Sequence, residues 1–88
     1  MPFSVYILES QKNGRYYVGQ TDNMHERLEK HNRGEVQSTK ADRPWTLRHQ
    51  EVFETRSNAV KREKAIKSRK RRAYLESLIS KSERGAAR

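Results

Sequence analysis

Hydrophobic and polar positions alternate at the start of the chain. Phe3, Val5 and Ile7 point one way and Ser4, Tyr6 and Leu8 the other. With β-branched and aromatic side chains on both sides, this stretch reads as a strand that is apolar on both faces. Gln11-Lys12-Asn13-Gly14 reads as a turn, because Asn-Gly is a strong short hairpin signal. Arg15 to Gln20 is then the returning strand. A two-residue turn would pair Lys12 with Arg15, so that even positions of the first strand face odd positions of the second. Tyr6 and Tyr17 are expected on one face of the hairpin.

The period then changes. Met24, Leu28 and His31 recur at helical spacing with Arg27 beside them, and Gly34 is a natural stop. Asn23 with Glu26 three residues on makes a capping-box-like start. Glu35 to Arg43 has no period and is expected to be an exposed loop closed by Pro44. Trp45 to Glu54 reads as a third strand, with Trp45, Leu47 and Phe53 inward and an irregularity near His49 to Glu51. Thr55 or Ser57 caps a second helix to about Arg69, with Ala59, Val60 and Ile66 as its apolar stripe. Tyr74, Leu75, Leu78 and Ile79 mark a third helix or a continuation past a bend. Residues 81–88 are small or charged and read as a frayed tail. The resulting order is β-β-α-β-α-α within one domain.

Composition narrows the class. The 88 residues are 32% hydrophobic and 35% charged, which leaves room for only a small core. Seven aromatics must supply much of it. There is no cysteine, which excludes disulfides and cysteine-based zinc sites. No apolar run approaches the ~20 residues of a membrane span, and the opening MPFSVYILES is too short and uncharged for a signal peptide. A cytoplasmic protein is expected. Twenty Lys and Arg against eleven Asp and Glu give a net charge of +9. That imbalance favours polyanionic partners, nucleic acid first and an anionic membrane second.

The charge is concentrated in residues 61–72, KREKAIKSRKRR. Lys61, Arg62, Lys64, Lys67, Arg69, Lys70, Arg71 and Arg72 suit contacts to a nucleic-acid backbone, which are salt-dependent and largely independent of sequence. A basic helix on a membrane surface competes with this reading but lacks Trp or Phe anchors on its polar face.

One acid interrupts the run. Glu63 falls inside the apolar stripe of the second helix, where a carboxylate is costly unless paired or metal-bound. The plainer reading has it reaching out to Lys67 or Lys70; the functional reading has it holding a divalent metal, since Mg²⁺ needs only one or two protein carboxylates plus substrate oxygens. Arg27 and His31 share a helix face at i, i+4. They are either a surface ion pair with Glu26 or Asp22 and a core-edge histidine, or a phosphate grip and a proton carrier. Tyr6 and Tyr17 are either core aromatics or active hydroxyls. Strand 15–20 and the helix after it hold tyrosine, arginine and histidine on two rigid elements joined by a short turn, a way to build a phosphate site.

The ordered set Val5-Tyr6, Tyr17-Val18-Gly19, Arg27, His31 and Glu63 within REKAIK resembles the GIY-YIG nuclease superfamily, in particular its small stand-alone bacterial members related to the N-terminal domain of excinuclease C. The resemblance spans roughly Pro2 to Leu78. It implies an α+β sandwich, a small three-stranded antiparallel sheet flanked by helices, with a GIY-YIG-like nuclease domain over residues 1–80. It also implies metal-dependent endonucleolytic hydrolysis of DNA, in repair or recombination, with little intrinsic sequence preference. Carried over by position, Tyr6 and Tyr17 are the motif tyrosines, with Tyr17 the better candidate to activate water. Arg27 would bind the scissile phosphate, His31 would orient or exchange a proton, and Glu63 would hold a single Mg²⁺ or Mn²⁺. The implied partner is DNA, with RNA as a second option and no small-molecule cofactor. Ser4 replaces the glycine of the first motif, and Gln20 stands where excinuclease-type members place a lysine. No asparagine follows Asn58. The runner-up is a nucleic-acid-binding module that keeps the fold and the basic helix 61–72 but cuts weakly or not at all. A membrane-surface or ribosome-associated protein comes third.

Overall fold

A computed structural model describes residues 2–69 and 71–86, with side chains through Ser82. Strand β1 (Phe3–Ser10) is central in a three-stranded antiparallel sheet, with β2 (Tyr16–Thr21) and β3 (Trp45–Phe53) on its two sides. Helix α1 (Met24–Arg33) follows β2, a 3-10 turn (Lys40–Asp42) precedes β3, and α2 (Arg56–Arg69) and α3 (Arg72–Ala86) close the chain. The element order is the one the hydrophobic pattern gives, and the second apolar run is a separate third helix.

The double-sided alternation of β1 explains the layering. Val5 and Ile7 pack with Val18 against Ala59 and Ile66 of α2 and Leu78 and Ile79 of α3. On the opposite face Tyr6 and Leu8 pack with Trp45, Tyr17 and Leu47 under Met24 and Leu28 of α1. A strand buried on both sides needs cover on both sides, and the three helices supply it.

The β1–β2 hairpin is longer than expected. Ser10 N donates to Arg15 O at 2.8 Å, so the loop is the four residues Gln11 to Gly14, with Gly14 at φ 75°. Ser10 Oγ organises this loop by accepting from Lys12 N at 3.1 Å and Asn13 N at 3.2 Å. The pairing is therefore Tyr6↔Gly19 and Leu8↔Tyr17, two residues away from the register of a two-residue turn. A slip of two preserves side-chain direction, so Tyr6 and Tyr17 still share a face.

Strand β3 departs from simple alternation. Ile7 pairs with His49 and Leu8 with Leu47, which leaves Arg48 as an extra residue. This bulge reverses the facing of everything after it. Trp45 and Leu47 join the α1 side, whereas Phe53, expected beside them, packs on the α2–α3 side.

The caps follow local chemistry. Asn23 Oδ1 accepts from Glu26 N at 3.1 Å, and Gly34 ends α1 at φ 80°. Thr55 Oγ1, not Ser57, accepts from Asn58 N at the start of α2. The backbone remains helical through Ala86, past Lys81 where fraying was expected, and 87–88 lie outside the described residues.

Candidate active site

The hairpin register puts Gly19 directly opposite Tyr6, and the pairing has a steric reason. A Cβ at Gly19 would lie 2.6 Å from Tyr6 Oη, 2.7 Å from Tyr6 Cζ and 3.1 Å from Tyr17 Cε2. The absent side chain is what lets both tyrosine rings lie over β2. The Tyr6 and Tyr17 centroids are 6.3 Å apart, and Tyr17 meets the His31 ring edge-on at 5.1 Å.

Behind them runs a buried polar chain. Tyr6 and His31 are both fully buried, and Tyr6 Oη is 3.0 Å from His31 Nε2. Arg27 Nε donates to Tyr6 Oη at 3.4 Å, and His31 Nδ1 lies 2.8 Å from Thr39 Oγ1. Thr39 Oγ1 in turn donates to Val36 O at 3.4 Å. One proton arrangement satisfies every member. Arg27 can only donate, so the Tyr6 proton points to Nε2; the imidazole proton is then on Nδ1 and points to Thr39. Burial, reinforced by the Arg27 charge, lowers the His31 pKa to about 4, which keeps the ring neutral in that role. Burial also raises the Tyr6 pKa against the opposing hydrogen bond from Arg27, and the Glu63 carboxylate adds to the upward push. Arg27 is held more firmly protonated by its bond to Tyr6.

Arg27 thus turns to the tyrosine cluster, not to the surface pair with Glu26 or Asp22 that the plainer reading allowed. Glu63 is held on the α2 side of the cluster. Its side chain is 18% exposed, and its Oε2 is 2.8 Å from Lys67 Nζ, which stands 6.0 Å from the Tyr17 ring centroid. Lys67 therefore links the carboxylate to the tyrosine. Among the described residues no three His, Asp or Glu side chains converge as a metal cage. A partly buried hard oxygen donor such as Glu63 fits a hydrated Mg²⁺ or Mn²⁺ that draws its other ligands from water and substrate phosphate. Such an ion would have to compete with Lys67 for the carboxylate.

One residue of this cluster escaped the sequence reading. Thr39 lies in the stretch read as an exposed loop, yet it is 1% exposed. Its carbonyl accepts from the Trp45 indole Nε1 at 3.0 Å, which fixes the turn under His31. No periodic signal surrounds it. Lys67 takes the ion pair with Glu63 that the plainer reading allowed.

That run divides in the fold. Arg62 is not on the free cationic face: its Nε and one terminal nitrogen fork onto Glu51 at 2.7 and 3.0 Å, tying α2 to β3. The fork, with His49 beside it, draws the Glu51 carboxyl below the usual range. Arg72 stacks 4.3 Å from the Tyr16 ring centroid, donates to Gly14 O and pairs with Glu76. Arg69 stacks on Tyr74 at 4.4 Å. Lys61, Lys64 and Arg71 are exposed and without an ionic or hydrogen-bonded side-chain partner among the described residues. Lys70 lies outside the described residues.

A family model described as the GIY-YIG catalytic domain matches residues 2–76. The chain belongs to the GIY-YIG family. Relatives of this GIY-YIG chain include a UPF0213 protein of Staphylococcus aureus strain Mu3, 43% identical over 72 residues, covering 81% of this chain and 87% of that protein. UPF0213 proteins of strains Mu50 and N315 give the same figures. The solution NMR structure of a UPF0213 protein from Bacillus halodurans is similar at 31% identity and a TM-score of 0.57, covering 91% of this chain and 84% of that one. These are small stand-alone GIY-YIG family proteins, and the three-stranded antiparallel sheet with three helices seen here matches the Bacillus halodurans structure. GIY-YIG is a nuclease family, so its substrate is nucleic acid, and its nucleases generally use divalent metals. No helix among the described residues is long and apolar enough to cross a membrane.

Proposed function

We propose that this GIY-YIG chain is a metal-dependent endonuclease that hydrolyses DNA phosphodiester bonds with little intrinsic sequence preference, in repair or recombination. The observation that carries the reading is the Tyr6 hydroxyl held between Arg27 and a neutral, buried His31. The inward-turned Arg27 brings a fixed positive charge beside the motif tyrosines, where a phosphate would lie.

The division of labour follows from exposure. Tyr6 and His31 are sealed, so they orient; Tyr17, partly exposed beside them, faces substrate. Arg27 neutralises the phosphate and the negative charge that develops on it, and the Tyr17 hydroxyl orients the attacking water. Tyr6, fixed through His31 and Thr39, holds the Arg27 side chain in place. Glu63 would hold Mg²⁺ or Mn²⁺, which supplies Lewis-acid stabilisation of the phosphate and leaving oxygen when bound. The free cations Lys61, Lys64 and Arg71 contact the backbone of the bound strand.

The Glu63–Lys67 ion pair favours one second reading, a DNA-binding module whose carboxylate is occupied by its own lysine. Incubation of wild type and Glu63→Ala with supercoiled, branched and single-stranded DNA, in Mg²⁺, Mn²⁺ or EDTA, separates the two. Metal-dependent cutting that Glu63→Ala loses supports the nuclease. Binding without cutting on every substrate in either metal removes it and leaves the module. An RNA arm in the same assay tests whether DNA is the preferred substrate.

A further inference from the structure

The sheet order leaves β2 at an edge, and a groove runs along that edge between β2 and the two C-terminal helices. It has a volume of about 270 Å³ and is lined by Tyr16, Tyr17, Val18, Ile66, Lys67 and Leu75. Two of these six residues also belong to the tyrosine–carboxylate cluster. Tyr17 carries the hydroxyl that faces substrate, and Lys67 holds Glu63. The groove is therefore continuous with the site where a scissile phosphate would lie.

We infer that this groove is a nucleobase subsite: it takes one unstacked base of the DNA strand, next to the phosphate being cut. The inference rests on the proposed function for the position of that phosphate. Size is the first argument. Pockets for drug-sized ligands begin near ~300 Å³, so this one is scaled to a single planar ring system. Chemistry is the second. Its lining sets the rings of Tyr16 and Tyr17, aromatic surfaces on which bases of any identity stack, beside aliphatic Leu75, with Val18 and Ile66 buried at its floor. Charge is the third. Among the described lining residues the charged one is Lys67, which is paired with Glu63, and the unpartnered Lys64 on α2 and Arg71 in the joint between α2 and α3 add positive charge nearby, so the occupant is part of a polyanion. A base still stacked in a duplex cannot enter. The substrate class is accordingly DNA with an unpaired nucleotide beside the cleavage point, such as a single strand, a flap or a bulge.

Binding in EDTA tests this without any cutting. A labelled 12-nucleotide strand is compared by fluorescence anisotropy with a strand of the same length that is abasic at every position, because a subsite that takes any base lets a strand with a single gap shift register. The abasic strand should bind about 5- to 150-fold more weakly, the effect of losing one stacked base. Leu75→Trp, which fills the groove, should weaken the intact strand by a similar factor and bring it level with the abasic strand. Leu75→Asn, which is smaller than leucine and turns an apolar wall polar, should give a smaller loss in the same direction; circular dichroism establishes that each variant is folded. An abasic strand within twofold of the intact strand would overturn the subsite. So would a folded Leu75→Trp that keeps the wild-type ratio between the two strands, or a blunt duplex bound as tightly as the single strand. Base-sensitive binding with no metal-dependent cutting would sink the nuclease reading and leave the subsite standing.

Discussion

Gly19 and Tyr6 face each other across the β1–β2 ladder so closely that a Cβ on the glycine would stand 2.6 Å from the tyrosine oxygen. The ring cannot retreat, because Tyr6 is fully buried and its oxygen is held by His31 and Arg27. Gly19→Ala should destabilise the fold by about 1–3 kcal/mol, as overpacking does. It should also break the Tyr6–His31 contact. The urea midpoint reports the first effect and the tyrosine near-ultraviolet signal the second. A midpoint equal to wild type would show that Tyr6 does not depend on that space.

His31 makes stability depend on pH. Its folded pKa of about 4 lies below the ordinary 6.5, so the unfolded chain binds the proton first as pH falls. The stabilising contribution is fully present above pH 6.5 and is lost progressively between 6.5 and about 4. Glu51, held below its usual range by Arg62, adds its loss only at lower pH. Urea midpoints measured from pH 7.5 to 4 should fall through that window, and His31→Gln should flatten the upper part of the decline. Parallel curves for wild type and variant would remove His31 as the cause.

Thr39 is the partner that sets the His31 tautomer. Thr39→Val leaves Nδ1–H of His31 buried without an acceptor, at a cost of about 1–3 kcal/mol, whereas Thr39→Ser should keep most of the stability. In the cleavage assay the valine variant should lose rate more than binding, since the contact orients Tyr6 and not the DNA. Equal loss in the serine and valine variants would locate the effect in packing instead.

The basic run should separate into two classes by measurement. Arg62→Ala breaks the fork on Glu51 and should cost about 1 kcal/mol, a modest value because both partners retain some exposure to solvent. Its effect on the salt dependence of DNA binding should be near zero. Lys64→Ala should leave stability unchanged and lower the slope of log K against log salt by about 1. The reverse pattern would place Arg62, and not Lys64, against DNA.

The strands and helices, the shared face of Tyr6 and Tyr17, and the caps at Asn23 and Gly34 are legible from the chain alone. They rest on local period and local capping chemistry, which a few neighbouring residues determine. The ordered Tyr-Tyr-Arg-His-Glu set is legible for the same reason, since each member sits in a short motif. The hairpin register and the Arg48 bulge were settled only in three dimensions, because loop length and strand pairing answer to the whole sheet. Thr39 became visible only when the turn before β3 closed over His31. The basic run resolved into three arginines engaged by the fold (Arg62, Arg69 and Arg72), one lysine at the site and the free cations Lys61, Lys64 and Arg71 for a similar reason. Charge is written in the sequence; which charges are already answered depends on carboxylates and carbonyls brought from elsewhere in the fold.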